Sequence, residues 1–133
     1  MVNILNNDRA QAGVAPLTLS WTQTNGTTTC VGSYAHSVHM ATVHAISHDQ
    51  FPSDVCIPWM SVGENVGMSQ SYYHGGTELT DLRTIDQQMM SEPHSPGCTG
   101  NHACNILSPG YHTVGIGSDY VNNTTWLTED FTN

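Results

Sequence analysis

The chain contains no lysine and only two arginines, Arg9 and Arg83, against eleven acidic residues, so its formal net charge is −9. Charged residues make up only 10% of the sequence, well under the ~25% of an average domain. Nucleic acids and anionic membrane surfaces are bound mainly through clustered lysine and arginine. We therefore expect neither class of partner.

Long apolar runs are also missing. No stretch approaches the ~18 residues that would predict a helix spanning a bilayer. No charged-then-apolar leader opens the chain, although a leader removed earlier would leave no trace in this sequence. The length of 133 residues predicts a single domain, residues 1–133.

Closely paired cysteines of the CxxC type are absent, which argues against a zinc–cysteine site. The four cysteines, Cys30, Cys56, Cys98 and Cys104, favour two disulfides in an exported protein. Three connectivities are possible. We favour Cys30–Cys56 and Cys98–Cys104, because only five residues separate the second pair.

Apolar periodicity and turn residues predict the order helix, helix, strand, helix, strand, strand. The predicted helices are residues 2–12, 33–47 and 77–91, the predicted strands are 61–68, 113–117 and 125–128, and the predicted loops include 22–32 and 93–101. In the second helix, Tyr34, Val38, Ala41 and Ala45 form one apolar stripe. Asn122-Asn123 predicts a hairpin turn. Hairpin-linked strands with helices elsewhere indicate an antiparallel sheet covered by helices.

Histidine is abundant, with eight residues. On the predicted second helix, His44 and His48 lie one turn apart, a spacing that can hold a transition metal. The glutamate of a zinc-protease HExxH motif is absent, since position 45 is Ala45. The competing interpretation is that His36, His39 and His44 are ordinary residues of the polar face.

A second constellation consists of His48, Glu64, Glu92 and His102, each near a glycine, a proline or a loop signal. Such residues are candidates for the rim of a cleft. Two imidazoles and two carboxylates can bind a divalent cation or exchange protons near neutral pH. Alternatively, Glu64 and Glu92 are solvated or capping carboxylates.

Six segments, in order along nearly the whole chain, resemble the CAP superfamily of cysteine-rich secretory proteins, antigen-5 venom allergens and plant pathogenesis-related proteins. They are Leu5-Asn6-Asn7-Asp8-Arg9 with Gly13 and Pro16-Leu17; Ala35, Met40-Ala41 and Ser47-His48-Asp49; Val62-Gly63-Glu64-Asn65-Val66; Gly100-Asn101-His102-Ala103-Cys104-Asn105-Ile106-Leu107; Tyr111-His112-Thr113-Val114-Gly115-Ile116-Gly117; and Trp126-Leu127-Thr128-Glu129-Asp130-Phe131. The animal and plant signature GHYTQ is missing, so the bacterial type, the SCP domain, fits better.

The resemblance implies an α+β fold, a three-layer α-β-α sandwich with a central antiparallel sheet. It also implies that His48, Glu64, Glu92 and His102 meet around one pocket and hold a divalent cation such as Zn²⁺ or Mg²⁺. Met89-Met90 stands where the family commonly has Trp before the second glutamate, and the segment 94–104 resembles an enlarged, disulfide-closed loop.

The leading functional hypothesis is a secreted, monomeric CAP-domain protein that binds a lipid, a sterol or a cell-surface component, because the resemblance implies no agreed catalysis. Tyr72 and Tyr73 are candidates to line a groove for an apolar or glycan ligand, or else cover an edge of the core. The alternative is a metal-dependent hydrolase of peptides or esters, with Glu64 or Glu92 as general base. A third hypothesis is an interaction module with a vestigial cleft.

Overall fold

The computed structural model describes residues 1–70, 76–95 and 97–133. These residues contain five helices and four strands. In chain order they are α1 (Val2–Gln11), β1 (Thr18–Leu19), α2 (Trp21–Asn25), α3 (Gly32–Val43), β2 (Val62–Gln70), α4 (Glu78–Met90), α5 (His102–Ile106), β3 (Thr113–Val121) and β4 (Thr124–Thr132). All six predicted elements are present, but the predicted helix 33–47 ends at Val43. The short elements β1, α2 and α5 were not predicted, and α2 occupies part of the predicted loop 22–32.

The four strands form one sheet in the order β1-β3-β4-β2. The pairs β3–β4 and β4–β2 are antiparallel, whereas the two-residue β1 adds to β3 in parallel. Asn122 and Asn123 both have positive φ, 52° and 57°, as a two-residue hairpin turn requires. The predicted hairpin is therefore confirmed, and β2 lies at an edge of the sheet.

Helices cover both faces of the sheet. Successive residues of a strand point to opposite faces. Leu127 packs in one cluster with Ile85 and Met89 of α4, while the neighbouring Thr128 lies 3.0 Å from Ser37 of α3 through their hydroxyl oxygens. The helices α1, α4 and α5 thus lie on one face and α2 and α3 on the other, which confirms the three-layer sandwich.

The helix α3 buries a mixed face and only part of the predicted apolar stripe, of which Ala41 is buried beside Met40. Tyr34 is 48% exposed, and Ala45 is exposed beyond the end of the helix. The buried side chains include Ser33, His36 and Ser37. Polar side chains are tolerated there because the sheet and the following loop supply hydrogen-bond partners, as Gly117 O does for Ser37 at 2.9 Å.

Arg9 links α1 to the end of α5 and to the segment that follows it. Its side chain is fully buried and donates hydrogen bonds to the carbonyls of Ile106, Ser108 and Tyr111 at 2.7, 3.0 and 3.0 Å. A fourth bond reaches Ala15 O at 2.6 Å. One of the chain's two basic residues is therefore buried inside the fold.

Both predicted disulfides are confirmed. Cys30 is bonded to Cys56 with 5.5 Å between the Cα atoms, and Cys98 to Cys104 with 5.3 Å. The second bond closes the loop in front of α5. No described helix combines the length and the apolar character needed to cross a membrane.

Candidate metal-binding cleft

Glu64 and His48 form a hydrogen-bonded pair beside the edge strand β2. His48 Nδ1 lies 2.5 Å from Glu64 Oε1. The Glu64 side chain is 1% exposed, whereas that of His48 is 56% exposed. Because β2 alternates, Glu64 points to the α3 face and its neighbour Asn65 to the face of α5. The solvent-accessible imidazole of His48 is therefore hydrogen-bonded to a buried carboxylate.

His48 does not share a helix face with His44, so that sequence prediction is wrong. The helix α3 ends at Val43, and His44 adopts a left-handed conformation with φ 55°. This conformation breaks the helical path before His48, which lies in the following loop.

Glu92 and His102 form the second pair. The two oxygens of Glu92 accept one hydrogen bond from His102 Nδ1 at 2.7 Å and one from the His102 backbone N–H at 2.8 Å. Both side chains are 33% exposed. Burial raises the pKa of Glu92, but the hydrogen bonds from His102, the charge of His102 and the backbone N–H of Ala103 together outweigh it and hold the pKa below its usual range.

Local structure explains the position of this pair. Glu92 follows the end of α4, while His102 is the first residue of α5. The Asn101 side chain caps α5 by accepting a hydrogen bond from Cys104 N at 2.9 Å. It also donates one to Pro93 O at 2.7 Å. Asn101 thus ties the start of α5 to the segment that carries Glu92.

A groove lies beside the second pair. Its volume is about 230 Å³, and its wall includes Glu92 and His102 together with Ile46, Val66 and Met89. In the sequence, Ile46 lies two residues before His48, and Val66 lies two residues after Glu64. In the described ranges, however, no three of the four predicted ligands have their ligand atoms within 4.8 Å of one another. The structure therefore brings the ligands together as two pairs, and their joint binding of one ion stays a prediction.

A buried cluster lies behind the first pair, and it was not predicted as a site. His36 Nδ1 is 2.7 Å from both Asp54 Oδ2 and Glu64 Oε2. Burial lowers the pKa of His36, but hydrogen bonds to Asp54 and Glu64 and the charges of these two residues outweigh it and raise the pKa to about 10. The interpretation of His36 as an ordinary polar-face residue is therefore wrong. His39 is about one-third exposed and pairs with Asp49 at 3.1 Å.

No local sequence signal distinguishes His36 from the other histidines of this segment. Its partner Asp54 lies in an irregular loop between the two prolines Pro52 and Pro58, where no periodicity indicates which way a side chain points. The group His36, Asp54 and Glu64 can hold a metal ion by donor type and spacing.

A larger cavity of about 480 Å³ lies under the Cys98–Cys104 loop. Its wall includes Ala12 and Val14 after α1, and Leu107 and Pro109 after α5. These side chains give it a mainly apolar lining. Tyr72 and Tyr73, the predicted ligand-binding aromatics, lie outside the described residues.

No protein-family model matches the sequence, and no curated protein matches it either. Solved structures do match. The chain is similar to an extracellular protein containing an SCP domain from Bacillus anthracis, with a TM-score of 0.71 and 16% identity over 99% of this chain and 38% of that one. It also resembles a cysteine-rich secretory protein from Staphylococcus aureus, with a TM-score of 0.62 and 15% identity over 99% of this chain and 37% of that one. The chain thus spans less than two-fifths of the length of these two proteins.

Shorter proteins match over more of their length. Schistosoma mansoni venom allergen-like protein 4 has a TM-score of 0.66 and 10% identity, over 98% of this chain and 84% of that one. NaASP2, solved with Zn²⁺, has a TM-score of 0.66 and 11% identity, over 98% of this chain and 75% of that one. Together with the three-layer sandwich, these likenesses establish that the chain has the CAP fold, the fold of SCP-domain and venom allergen-like proteins.

Proposed function

We propose that residues 1–133 are one extracellular CAP domain that binds a divalent cation through His48 and His102, with Glu64 and Glu92 as supporting carboxylates, and that also binds a small apolar ligand. The observation on which this proposal rests is the shared geometry of the two pairs. In each pair, a partly exposed histidine bonds a glutamate through Nδ1.

This geometry suits a metal ligand. A histidine whose Nδ1–H donates to a carboxylate keeps a lone pair on Nε2, and metal-binding histidines commonly have such a partner. No hydrogen bond to Nε2 of His48 or His102 is formed within the described part of the chain. The two Nε2 atoms are therefore available to a cation of the Zn²⁺ type. NaASP2, which shares the fold, was solved with Zn²⁺.

The hydrogen bonds and the burial of Glu64 and Glu92 favour a cation-binding function over hydrolysis. A general base needs an oxygen within reach of a water molecule. Both oxygens of Glu92 accept hydrogen bonds from His102. The oxygens of Glu64 face His48 and His36 and are buried. Each glutamate therefore orients an imidazole rather than activating a nucleophile.

Calorimetric titration with Zn²⁺ tests the cation site. We expect the double variant His48→Ala, His102→Ala to lose the cleft ion, with an affinity at least about 10-fold weaker. The control variant His112→Ala removes an exposed histidine that belongs to neither pair and should bind as the wild type does. Unchanged binding in a folded double variant contradicts the proposal.

The apolar ligand is assigned to the 480 Å³ cavity under the Cys98–Cys104 loop, since a mainly apolar, partly open cavity of this size suits a small hydrophobic molecule. A fluorescent fatty acid serves as the probe. Ala12→Trp should fill part of the cavity and weaken binding of the probe. Ala10→Trp, at an exposed position near the end of α1 and outside the cavity wall, is the control. Equal binding by both variants contradicts this assignment.

Two disulfides and an extracellular protein among the similar structures support the extracellular location. Expression with and without a secretion signal, followed by thiol titration, tests it. We expect no free thiols in the exported, folded protein. A folded protein with four free thiols under oxidising conditions would contradict it.

A further inference from the structure

The cluster behind the cleft is enclosed to an unusual degree for three ionisable groups. His36 Nδ1, Asp54 Oδ2 and Glu64 Oε2 lie within 4.8 Å of one another, and no other trio of His, Cys, Asp or Glu in the described ranges does so. The side chains of His36, Asp54 and Glu64 are 0%, 0% and 1% exposed. Water therefore does not solvate the donor atoms.

A single proton on Nδ1 does not give every oxygen of this cluster a hydrogen bond. His36 Nε2 lies 3.1 Å from Ser47 O and donates its proton there, because a carbonyl oxygen only accepts. If the ring is neutral, its Nδ1 lone pair faces two carboxylate oxygens. If the ring is charged, its one Nδ1–H faces two carboxylate oxygens at 2.7 Å, Asp54 Oδ2 and Glu64 Oε2, and donates fully to only one of them. Asp54 Oδ1 is also buried without a hydrogen-bond partner.

Apart from the His36 imidazole itself, no basic side chain balances the carboxylates. The chain has no lysine, Arg83 is exposed on α4, and Arg9 is bonded to carbonyls beside α5. Asp130, which pairs with Glu64 across β2 and β4, is buried too. Asp54 and Glu64 therefore share a single imidazole, and Asp130 is buried beside Glu64 on the neighbouring strand. Burial of charge without compensation is costly, and a divalent cation would offset it.

We infer that His36, Asp54 and Glu64 bind a second divalent cation, of the zinc type, in the core behind the cleft. Imidazole nitrogen and carboxylate oxygens are zinc ligands, and three protein ligands leave a fourth position for water or Asp54 Oδ1. A metal-bound histidine normally donates its other ring N–H to a backbone carbonyl or a carboxylate, as His36 does to Ser47.

Glu64 connects this site to the cleft. Its Oε1 bonds His48, which is 56% exposed, and its Oε2 faces His36. Movement of the His48 ring would open a route from solvent to the buried carboxylates. The inference shares Glu64 with the proposed cleft but does not require His102 or Glu92, so the two sites can be tested separately.

Equilibrium dialysis against Zn²⁺ with metal analysis of the protein gives the number of ions per chain. We expect two ions for the wild type and one for the cleft variant His102→Ala, Glu92→Gln. Asp54→Asn, which keeps the volume and removes the charge, should also retain one ion. Combining Asp54→Asn with the cleft variant should leave none. The control His112→Gln should retain both.

A second measurement uses the unsubstituted protein, in case the buried variants do not fold. In ¹⁵N-labelled protein saturated with Zn²⁺, His36 Nδ1 should lose any attached proton and shift as a metal-bound nitrogen, while Nε2 stays protonated. A protonated Nδ1 at saturation overturns the inference. So does full zinc content in a folded Asp54→Asn variant.

The outcomes for the two sites are distinguishable. If the cleft variant loses every ion and Asp54→Asn loses none, the buried site is refuted and the cleft stands. If Asp54→Asn loses an ion and the cleft variant keeps all of them, the buried site stands and the cleft proposal is refuted.

Discussion

Asn65 Nδ2 donates a hydrogen bond to the backbone carbonyl of His102 at 3.3 Å, which links the edge strand β2 to the first residue of α5. The same amide lies 3.2 Å from Glu129 Oε2, and its oxygen accepts from Asn105 Nδ2 at 3.0 Å. The residue beside Glu64 thus positions the segment that carries the second imidazole. The two histidine–glutamate pairs are connected through adjacent residues of one strand.

Asn65→Ala should lower the free energy of unfolding by about 1–3 kcal/mol, because it leaves buried polar partners without hydrogen bonds. Urea denaturation followed by circular dichroism measures this change. Asn3→Ala, at an exposed position of α1, is the control and should change it by less than about 0.5 kcal/mol. Equal effects of the two substitutions would show that the link does not contribute to stability.

Stability should decrease as the pH rises from about 5 to about 8. Burial raises the pKa of Glu129 to about 8, and the charge of Asp86 adds to this effect. Burial and the neighbouring Asp8 raise the pKa of Asp86 to about 7. The folded chain therefore holds more protons in this window than the unfolded chain, in which these carboxyls titrate near 4.5 and 3.8.

Glu129→Gln should reduce this pH dependence, because the amide stays neutral at every pH. Denaturant unfolding at several pH values measures the slope for both proteins. Asp119→Asn, a partly exposed site, is the charge-matched control. A wild-type stability that rises with pH across the window would contradict the assigned protonation of Glu129.

Gly117→Ala should destabilise the fold by about 3 kcal/mol or more, because the backbone of Ser33 in α3 leaves no room for a side chain at this position. A Cβ at Gly117 would lie 2.2 Å from the backbone oxygen of Ser33. Gly110→Ala is the matched control, since its Cβ would meet nothing nearer than Ser108 Oγ at 3.6 Å. Thermal unfolding compares the two. Similar melting temperatures would contradict the close approach of α3 to β3.

The two disulfides should contribute unequally. In the chain-entropy model, the 26-residue separation of Cys30 and Cys56 corresponds to about 3.5 kcal/mol, and the 6-residue separation of Cys98 and Cys104 to about 2 kcal/mol. Paired Cys→Ser variants measure both values by denaturant unfolding. A larger loss from the shorter loop would indicate that this bond stabilises the native state through its packing around the cavity.

The sequence predicted the long elements because their patterns are local. The alternation of Val62–Met68 and the turn residues Asn122-Asn123 indicate strands and a hairpin without any knowledge of the partner strand. The short α2 was missed, because its start depends on the Ser20 side chain accepting from Gln23 N at 3.2 Å. A five-residue helix has too little periodicity to be distinguished from a polar loop.

The candidate site was likewise predicted only in part. Motif order identified His48, Glu64, Glu92 and His102, and the structure pairs them two by two. The His36 cluster was not predicted, since its three members come from α3, an irregular loop and β2. Nothing in the local pattern around His36 indicates that Asp54 meets it, because that contact depends on how the loop folds back over the helix.

The burial of Arg9 has a consequence for how the protein meets other molecules in solution. Six of the eleven acidic residues are buried as well, namely Asp54, Glu64, Asp81, Asp86, Glu129 and Asp130. The exterior therefore holds one arginine and five carboxylates, far fewer charges than the overall composition implies, and hydration depends largely on hydroxyl and amide groups. Long-range electrostatic steering is weak for such a surface, so encounter rates with most partners should respond only slightly to ionic strength.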